Sequence, residues 1–150
     1  AGSSSGSVGD ISGGSCSGDY ACYLAGSISG SVGDITGGSC YGIQACSFAG
    51  REGGRVESIT HGSCNGIYAC FDAGYLSGSV GDIADGSCNG DYSCSWAGAA
   101  SGSVGSITDG SCSSDYACSE LGQYGGNVDG VIDSCKAIHA CRGLGSRTSV

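Results

Sequence analysis

Residues 78–101 read GSVGDIADGSCNGDYSCSWAGAAS, and this stretch decides the fold because the whole chain repeats it. Residues 30–53 read GSVGDITGGSCYGIQACSFAGREG, with the same GSVGDI opening, GSC step and second cysteine. Six such copies begin near residues 6, 30, 54, 78, 102 and 126. A fixed period of this length is the signature of a stacked repeat architecture, in which each copy covers the next.

The apolar residues keep to a few columns of the 24-residue repeat. Valine stands two places after the opening glycine, and isoleucine three places later, with a second valine in the last copy. These positions are Val8, Val32, Val56, Val80, Val104 and Val128, then Ile11, Ile35, Ile59, Ile83, Ile107 and Val131. Such β-branched residues between Gly, Ser and Asp are typical of short strands and turns.

The fold predicted from this pattern is all-β. No stretch has the apolar spacing of a helix, and glycine every few residues would destabilise one. We therefore expect each copy to form one coil of a parallel β-solenoid, and residues 1–150 to form a single solenoid domain of about six coils. At the usual strand spacing of about 4.8 Å, six coils give a rod about 29 Å long.

The cysteines point to an oxidising compartment. The chain has 12 cysteines and 32 glycines in 150 residues, so it has little material for an ordinary core. Dense, evenly spaced cysteines predict a disulfide framework in a secreted protein. Zinc is the alternative, but zinc modules use shorter cysteine spacings, and His61 and His139 are too few for six sites.

Each copy carries one C-x5-C pair, and the spacing survives a one-residue deletion before the last pair. We predict six disulfides within coils, and pairing between neighbouring coils remains the alternative. The predicted pairs are Cys16–Cys22, Cys40–Cys46, Cys64–Cys70, Cys88–Cys94, Cys112–Cys118 and Cys135–Cys141.

The C-x5-C coils resemble the insect antifreeze solenoids, whose shorter coils each hold an internal disulfide. Phrases such as Ser39-Cys40-Tyr41-Gly42 and Tyr20-Ala21-Cys22 are similar to secreted cysteine-, glycine- and serine-rich repeat proteins of diatoms and related algae. The resemblance implies a β-solenoid more strongly than any activity. It departs from the antifreeze pattern because the paired Thr-x-Thr column is missing.

Net charge and hydropathy exclude several partners. The net charge of −9 opposes nucleic-acid binding, which needs basic patches. No apolar run is long enough for a membrane span. The chain starts at the small residue Ala1, as a mature secreted protein does, so we expect an extracellular location. Glycan decoration of the serines stays open.

Three columns are candidate surfaces, each with a simpler structural interpretation. Thr36, Thr60 and Thr108 form a threonine column, interrupted by Ala84, that suggests an ice-binding face or ordinary strand residues. A Gly-Asp column of Asp10, Asp34 and Asp82 suggests calcium or hydrated turns. A column of Tyr20, Tyr68, Tyr92 and Tyr116, interrupted by Gln44 and His139, suggests sugar or partner binding, or cover for the coil.

We expect no enzyme, no cofactor and no metal site. A catalytic triad needs a nucleophile, a base and an orienting group in one pocket. His61 and His139 belong to different columns on coils three apart, and serine is too common here to be informative.

The leading functional hypothesis is a subunit of an extracellular filament or coat that stacks head to tail with itself. Ala1-Gly2 resembles the end of a repeat and Thr148-Ser149-Val150 the start of the next. All charged residues among the first 50 are acidic, whereas all charged residues in 136–150 are basic. The alternatives are an ice-binding protein and an adhesive or glycan-binding module. The predicted interface residues are Ala1, Gly2, Asp10, Asp19, Lys136, Arg142, Arg147 and Val150.

Overall fold

The computed structural model describes residues 2–147. Its strands are two residues long: Ser7–Val8 (β1), Ser31–Val32 (β2), Arg55–Val56 (β3), Ser79–Val80 (β4), Ser103–Val104 (β5), Ile107–Thr108 (β6), Asn127–Val128 (β7) and Val131–Ile132 (β8). The parallel sheet β1-β2-β3-β4-β5-β7 pairs each strand with the equivalent strand of the next coil. The register is the repeat period, so Val32 faces Val56 and Val56 faces Val80.

A second parallel ladder runs beside the first. It pairs β6 with β8 and continues as single bridges through Ile11, Ile35, Ile59, Ile83 and Ile107. The predicted fold class is confirmed: an all-β parallel solenoid without helices in residues 2–147, with a repeat of about 24 residues. Five coils have the full length, and the sixth is shortened by one residue.

The core is a narrow column of small and β-branched side chains. Ile35, Ile59, Ile83 and Ile107 are fully buried, and each stacks on the next. The inner cystines and the alanines Ala45, Ala49, Ala69, Ala73, Ala97 and Ala117 fill the rest of the section. Because each side chain is covered by its own copy one coil away, small residues are enough to exclude water.

One disulfide closes within each coil, as the fold prediction required. The pairs are Cys16–Cys22, Cys40–Cys46, Cys64–Cys70, Cys88–Cys94, Cys112–Cys118 and Cys135–Cys141, with Cα–Cα distances of 5.5–5.6 Å. All twelve cysteines are used, and none links two coils.

The half of each coil that follows the first cysteine contains no strand, only successive tight turns. We call this part the turn half. The part of the coil before it, from the opening glycine to the serine that precedes the first cysteine, is the strand half. In the third coil the Phe71 N–H donates to the Tyr68 carbonyl three residues back, at 3.3 Å. The next N–H, of Asp72, donates to Ser47 of the preceding coil at 3.1 Å. Successive N–H groups therefore donate alternately to a carbonyl of the same coil and to one of the preceding coil.

This turn half places side-chain-bearing residues in the left-handed region at every fourth position. Cys64, Tyr68 and Asp72 have φ of 56°, 55° and 55°. An L-residue in this region costs about 1 kcal/mol or more, so the stacked hydrogen bonds must offset it. The sequence predicted short strands and turns without indicating a left-handed backbone at these side-chain-bearing positions.

The glycine that opens each coil allows the two halves to meet. A Cβ on Gly54 would lie 1.7 Å from the Gly74 carbonyl oxygen, and a Cβ on Gly30 would lie 1.7 Å from the Gly50 carbonyl oxygen. No side chain fits such an approach, which explains why the column accepts only glycine.

The serine before each first cysteine forms an internal ladder. Ser39 is fully buried, and its hydroxyl donates to the Thr36 carbonyl at 2.8 Å. The same oxygen accepts the Ser63 N–H of the next coil at 3.2 Å. In this column the hydroxyls of Ser15, Ser39, Ser63 and Ser111 each accept a backbone N–H of the next coil, whereas the buried Ser87 hydroxyl has no hydrogen-bond partner among the described residues.

Candidate functional surfaces

The structure places the predicted assembly residues on the first and last coils. Asp10 and Asp19 are exposed on the first coil, and Lys136, Arg142 and Arg147 are exposed on the last. The head-to-tail contact between these two coils stays a prediction.

The remaining interface residues are Gly2, Ala1 and Val150. The Gly2 N–H donates to the Ala25 carbonyl at 2.8 Å, which joins it to the first full coil. Ala1 and Val150 lie outside the described residues.

Two of the three basic side chains already have acidic partners in their own chain. Lys136 is paired with Asp133, three residues away. Arg142 contacts Glu120 of the preceding coil at 3.0 Å. Charge attraction between the two ends is therefore weaker than the sequence indicates.

The outermost described coils expose residues whose equivalents are buried. Leu144 is 54% exposed, whereas Leu121, one coil before it, is completely buried. Ile11 is 45% exposed and Ile35 is completely buried. Each outer coil therefore presents an apolar cross-section of the core that another coil would cover.

Asp and Asn side chains connect neighbouring coils, and in each case the side-chain oxygen accepts an N–H of the preceding coil. The Asp91 carboxylate accepts the Ile67 N–H of the preceding coil at 2.8 Å, and Asp115 accepts the Asp91 N–H at 2.9 Å. Asn89 does the same for the Asn65 N–H at 2.9 Å. Asp19 heads the column of Asp91 and Asp115 in the first coil. The sequence showed the columns but not this function.

The Gly-Asp column has a structural use of the same kind. Asp34 accepts the Asp10 N–H at 2.9 Å, and Asp82 accepts the Ser58 hydroxyl at 2.7 Å. These contacts explain the aspartates as acceptors that fasten neighbouring coils, without a bound cation.

The threonine column is single and half-buried. Thr36, Thr60 and Thr108 are each partly covered, and Ser12, Ala84 and the exposed Ile132 complete the column. The fold is compatible with a structural or an ice-binding role, but this column is not a broad array of one residue type.

Tyrosines and one histidine form a continuous ring stack. The centroids of Tyr68 and Tyr92 are 5.0 Å apart, those of Tyr92 and Tyr116 also 5.0 Å, and those of Tyr116 and His139 5.1 Å. His139 therefore extends the column that it was expected to interrupt. Burial between its neighbours raises the pKa of the Tyr92 hydroxyl.

Further rings join this stack into one surface, which we call the aromatic face. Tyr20 contacts Tyr23 edge to face instead of continuing the stack, because Gln44 lies beyond it. The aromatic face comprises Tyr20, Tyr23, Phe48, Tyr68, Phe71, Tyr75, Tyr92, Trp96, Tyr116 and His139, joined by ring contacts of 5.0–6.4 Å.

A cluster of charged residues lies at the middle of the aromatic face. The Arg51 guanidinium lies 4.8 Å from the Phe48 centroid and 5.4 Å from that of Tyr75. Arg51 is paired with Glu52, which also accepts the Tyr75 hydroxyl at 3.0 Å. These hydrogen bonds lower the pKa of Glu52. Burial raises the pKa of Asp72 to about 6, although Arg51 opposes the shift.

Neither histidine belongs to a catalytic arrangement within the described chain. His61 is exposed, with its Nδ1 3.1 Å from the Thr60 hydroxyl and 3.7 Å from Asp85. His139 is in the ring stack. An open hollow of about 410 Å³ lies along β1, β2 and β3 and is lined by Ser, Val and Gly with Arg55 and Glu57.

Over residues 2–147 the groups of three close metal-ligating atoms consist of cysteine sulfurs already used in disulfides. The same residues form no helix long and apolar enough to cross a bilayer. Six intrachain disulfides indicate an oxidising environment.

Comparison of the chain with protein-family models, curated proteins and solved structures finds no match. The resemblance to antifreeze and algal repeat proteins is therefore limited to the disulfide-bridged C-x5-C coil.

Proposed function

We propose that this chain is a structural subunit of an extracellular filament, formed when the last coil of one molecule stacks on the first coil of the next. The observation that carries the proposal is that the coil-to-coil contact is the same throughout the stack. Any outer coil therefore offers the surface on which another coil packs. Stacking of opposite ends is a heterologous contact that does not close, so it produces a fibre and not a ring.

The one-directional acceptors define the expected contact. Asp91 and Asp115 each bind the N–H of the equivalent residue one coil earlier. By the same geometry, Asp19 of one molecule would accept the Ile138 N–H of the molecule before it. The apolar cross-sections at Ile11 and Leu144 would be buried in the same step. Hydrogen bonds set the register and apolar burial supplies most of the affinity.

The experiment is sedimentation of the disulfide-intact 1–150 polypeptide over a wide concentration range, with negative-stain electron microscopy. We expect filaments one solenoid wide. Asp19→Ala should raise the concentration needed for assembly about tenfold, because it removes an acceptor for a backbone N–H. Asp19→Asn should restore assembly, since Asn65 and Asn89 are acceptors of this kind elsewhere. A strictly monomeric species at high concentration contradicts the proposal.

Ice binding is the other role compatible with the fold, and the same preparation tests it. The single column of Thr36, Thr60 and Thr108 is broken at Ala84. We therefore expect no thermal hysteresis at micromolar concentration. A clear hysteresis that Thr60→Lys abolishes would replace the filament proposal with ice binding.

A further inference from the structure

Two clefts open on the aromatic face. The first, of about 240 Å³, is lined by Tyr20, Tyr23, Gln44 and Phe48. The second, of about 290 Å³, is lined by Trp96, Glu120, Gln123 and Tyr124. Both combine aromatic rings with a side-chain amide, and the second adds a carboxylate.

The clefts share one column of the repeat, which holds Phe48, Trp96 and Glu120, but the first extends to the columns before it and the second to the columns after it. The first spans coils one and two and the second spans coils four and five, so they are about 14 Å apart at strand spacing. Phe71 bridges them, because its centroid is 5.3 Å from that of Phe48 and 6.4 Å from that of Trp96. The face is therefore an elongated row of rings with a cleft towards each end.

The rings are held in place without a ligand. Tyr92 is stacked between Tyr68 and Tyr116, and Arg51 covers Phe48 and Tyr75. A surface that is already ordered loses little conformational entropy when it binds.

The chemistry of the clefts fits a sugar. A pyranose has an apolar C–H face that packs on an aromatic ring and a rim of hydroxyls that needs donors and acceptors. Tyr, Trp and Phe supply the first, and the amides of Gln44 and Gln123 with the Glu120 carboxylate supply the second.

Charge and shape select the class of glycan. The chain carries a net charge of −9, with Asp91 and Asp115 beside the rings, whereas Glu120 is paired with Arg142; the excess of acidic groups disfavours an anionic polysaccharide. An elongated row of rings suits a flat, extended chain better than a coiled one. We propose that the aromatic face binds a linear, uncharged β-linked glucan along the solenoid axis, with one sugar in each cleft. This proposal does not depend on filament formation.

The direct test uses Trp96, which is the single tryptophan of the chain and lines the second cleft. Titration with cellohexaose should give a saturable change in tryptophan fluorescence. Maltohexaose, with the same sugars in a coiled chain, should give a clearly weaker one. Native electrophoresis in gels with hydroxyethyl cellulose should retard the protein, and gels with the anionic carboxymethyl cellulose should not.

The variants form a matched pair. Tyr124, in the second cleft, and Tyr41, which has no ring contact with the aromatic face, are both 58% exposed. Tyr124→Ala should weaken retardation about tenfold, whereas Tyr41→Ala should leave it unchanged. Circular dichroism checks that both variants keep the fold.

Three results would overturn the proposal. The first is no saturable fluorescence change together with no retardation. The second is equal weakening by Tyr41→Ala and Tyr124→Ala. The third is equal retardation by the anionic and neutral celluloses, which would show that neither charge nor the clefts select the ligand.

Discussion

The strand half and the turn half of a coil solve the same stacking problem in different ways. In the third coil the strand half buries Val56 and Ile59 against identical or similar residues above and below, so its sequence changes little from coil to coil. The turn half is fastened by backbone bonds and a disulfide, and its outward positions vary. One column holds Leu24, Phe48, Asp72, Trp96 and Glu120.

This difference indicates where binding can evolve. A strand-half substitution disturbs core contacts with both neighbouring coils. In the turn half the backbone and the cystine carry the stacking, so outward side chains are available for recognition. The aromatic face and both of its clefts belong mostly to the turn half.

Reduction of the disulfides should have the largest effect, and it tests whether the turn half depends on them. Closing so short a loop contributes about 2.4 kcal/mol per bridge in the chain-entropy model. Six bridges together match the whole stability of an ordinary domain, about 5–15 kcal/mol. We expect the reduced chain to be unfolded at 25 °C, as measured by circular dichroism with and without reductant. A reduced protein with an unchanged melting temperature would show that the backbone bonds suffice.

Ile59→Ala should be the next largest, with a loss of about 2–5 kcal/mol, because the side chain is completely buried in the strand half. Ile67→Ala is the matched control in the turn half of the same coil, where the side chain is 39% exposed and the expected loss is below about 1 kcal/mol. Urea unfolding measures both. Equal losses would contradict the division between the halves.

Asp72 should make stability depend on pH. Its folded pKa of about 6 lies above the ordinary value of 3.8, so the folded state binds the proton more tightly. This contribution is complete below about pH 4 and is lost as the pH rises through 6, by up to about 3 kcal/mol. Asp72→Asn should remove that decline while Arg51 and Glu52 remain. Urea unfolding of both proteins at pH 4 and pH 7 gives the difference, and parallel curves would refute the assignment.

Ser63→Ala should have the smallest effect, about 1 kcal/mol, because it removes one neutral hydrogen bond to the Ser87 N–H at 3.2 Å. Ser113→Ala, on the exposed turn of the fifth coil, should change stability by less than about 0.5 kcal/mol. A Ser63 variant as stable as the Ser113 variant would mean that the serine ladder is dispensable.

The sequence predicted the features that every coil repeats. It did not predict the features that depend on which residue occupies a position in the neighbouring coil. The Val and Ile columns and the C-x5-C pairs gave the solenoid and its disulfides, because periodicity alone specifies stacking. The left-handed φ of Tyr68 and Asp72 in the turn half was not predicted, because neither residue is a glycine and nothing in its type indicates that conformation.

The side-chain contacts on the surfaces could not be predicted from the sequence either. His139 was expected to interrupt the tyrosine column and instead continues it, because a flat imidazole stacks as a phenol ring does. The Arg51 cluster joins unlike residue types in shared columns, Arg51 with Tyr75 and Phe48 with Asp72, so the periodicity places them side by side but does not reveal their charged and cation–π contacts. The assembly residues Asp10 and Asp19 remain a prediction.

Because every disulfide closes within a coil and none joins two coils, no covalent cross-link opposes the separation of one coil from the next, and the coils stay connected only through the backbone. Under tension an outer coil can peel away while the next stays folded. Its seven-residue disulfide loop stays closed at a Cα–Cα distance of 5.6 Å, so each coil releases only about 65 Å of chain. The molecule would lengthen in equal steps, and each released coil could rewind onto the template below it when the load falls.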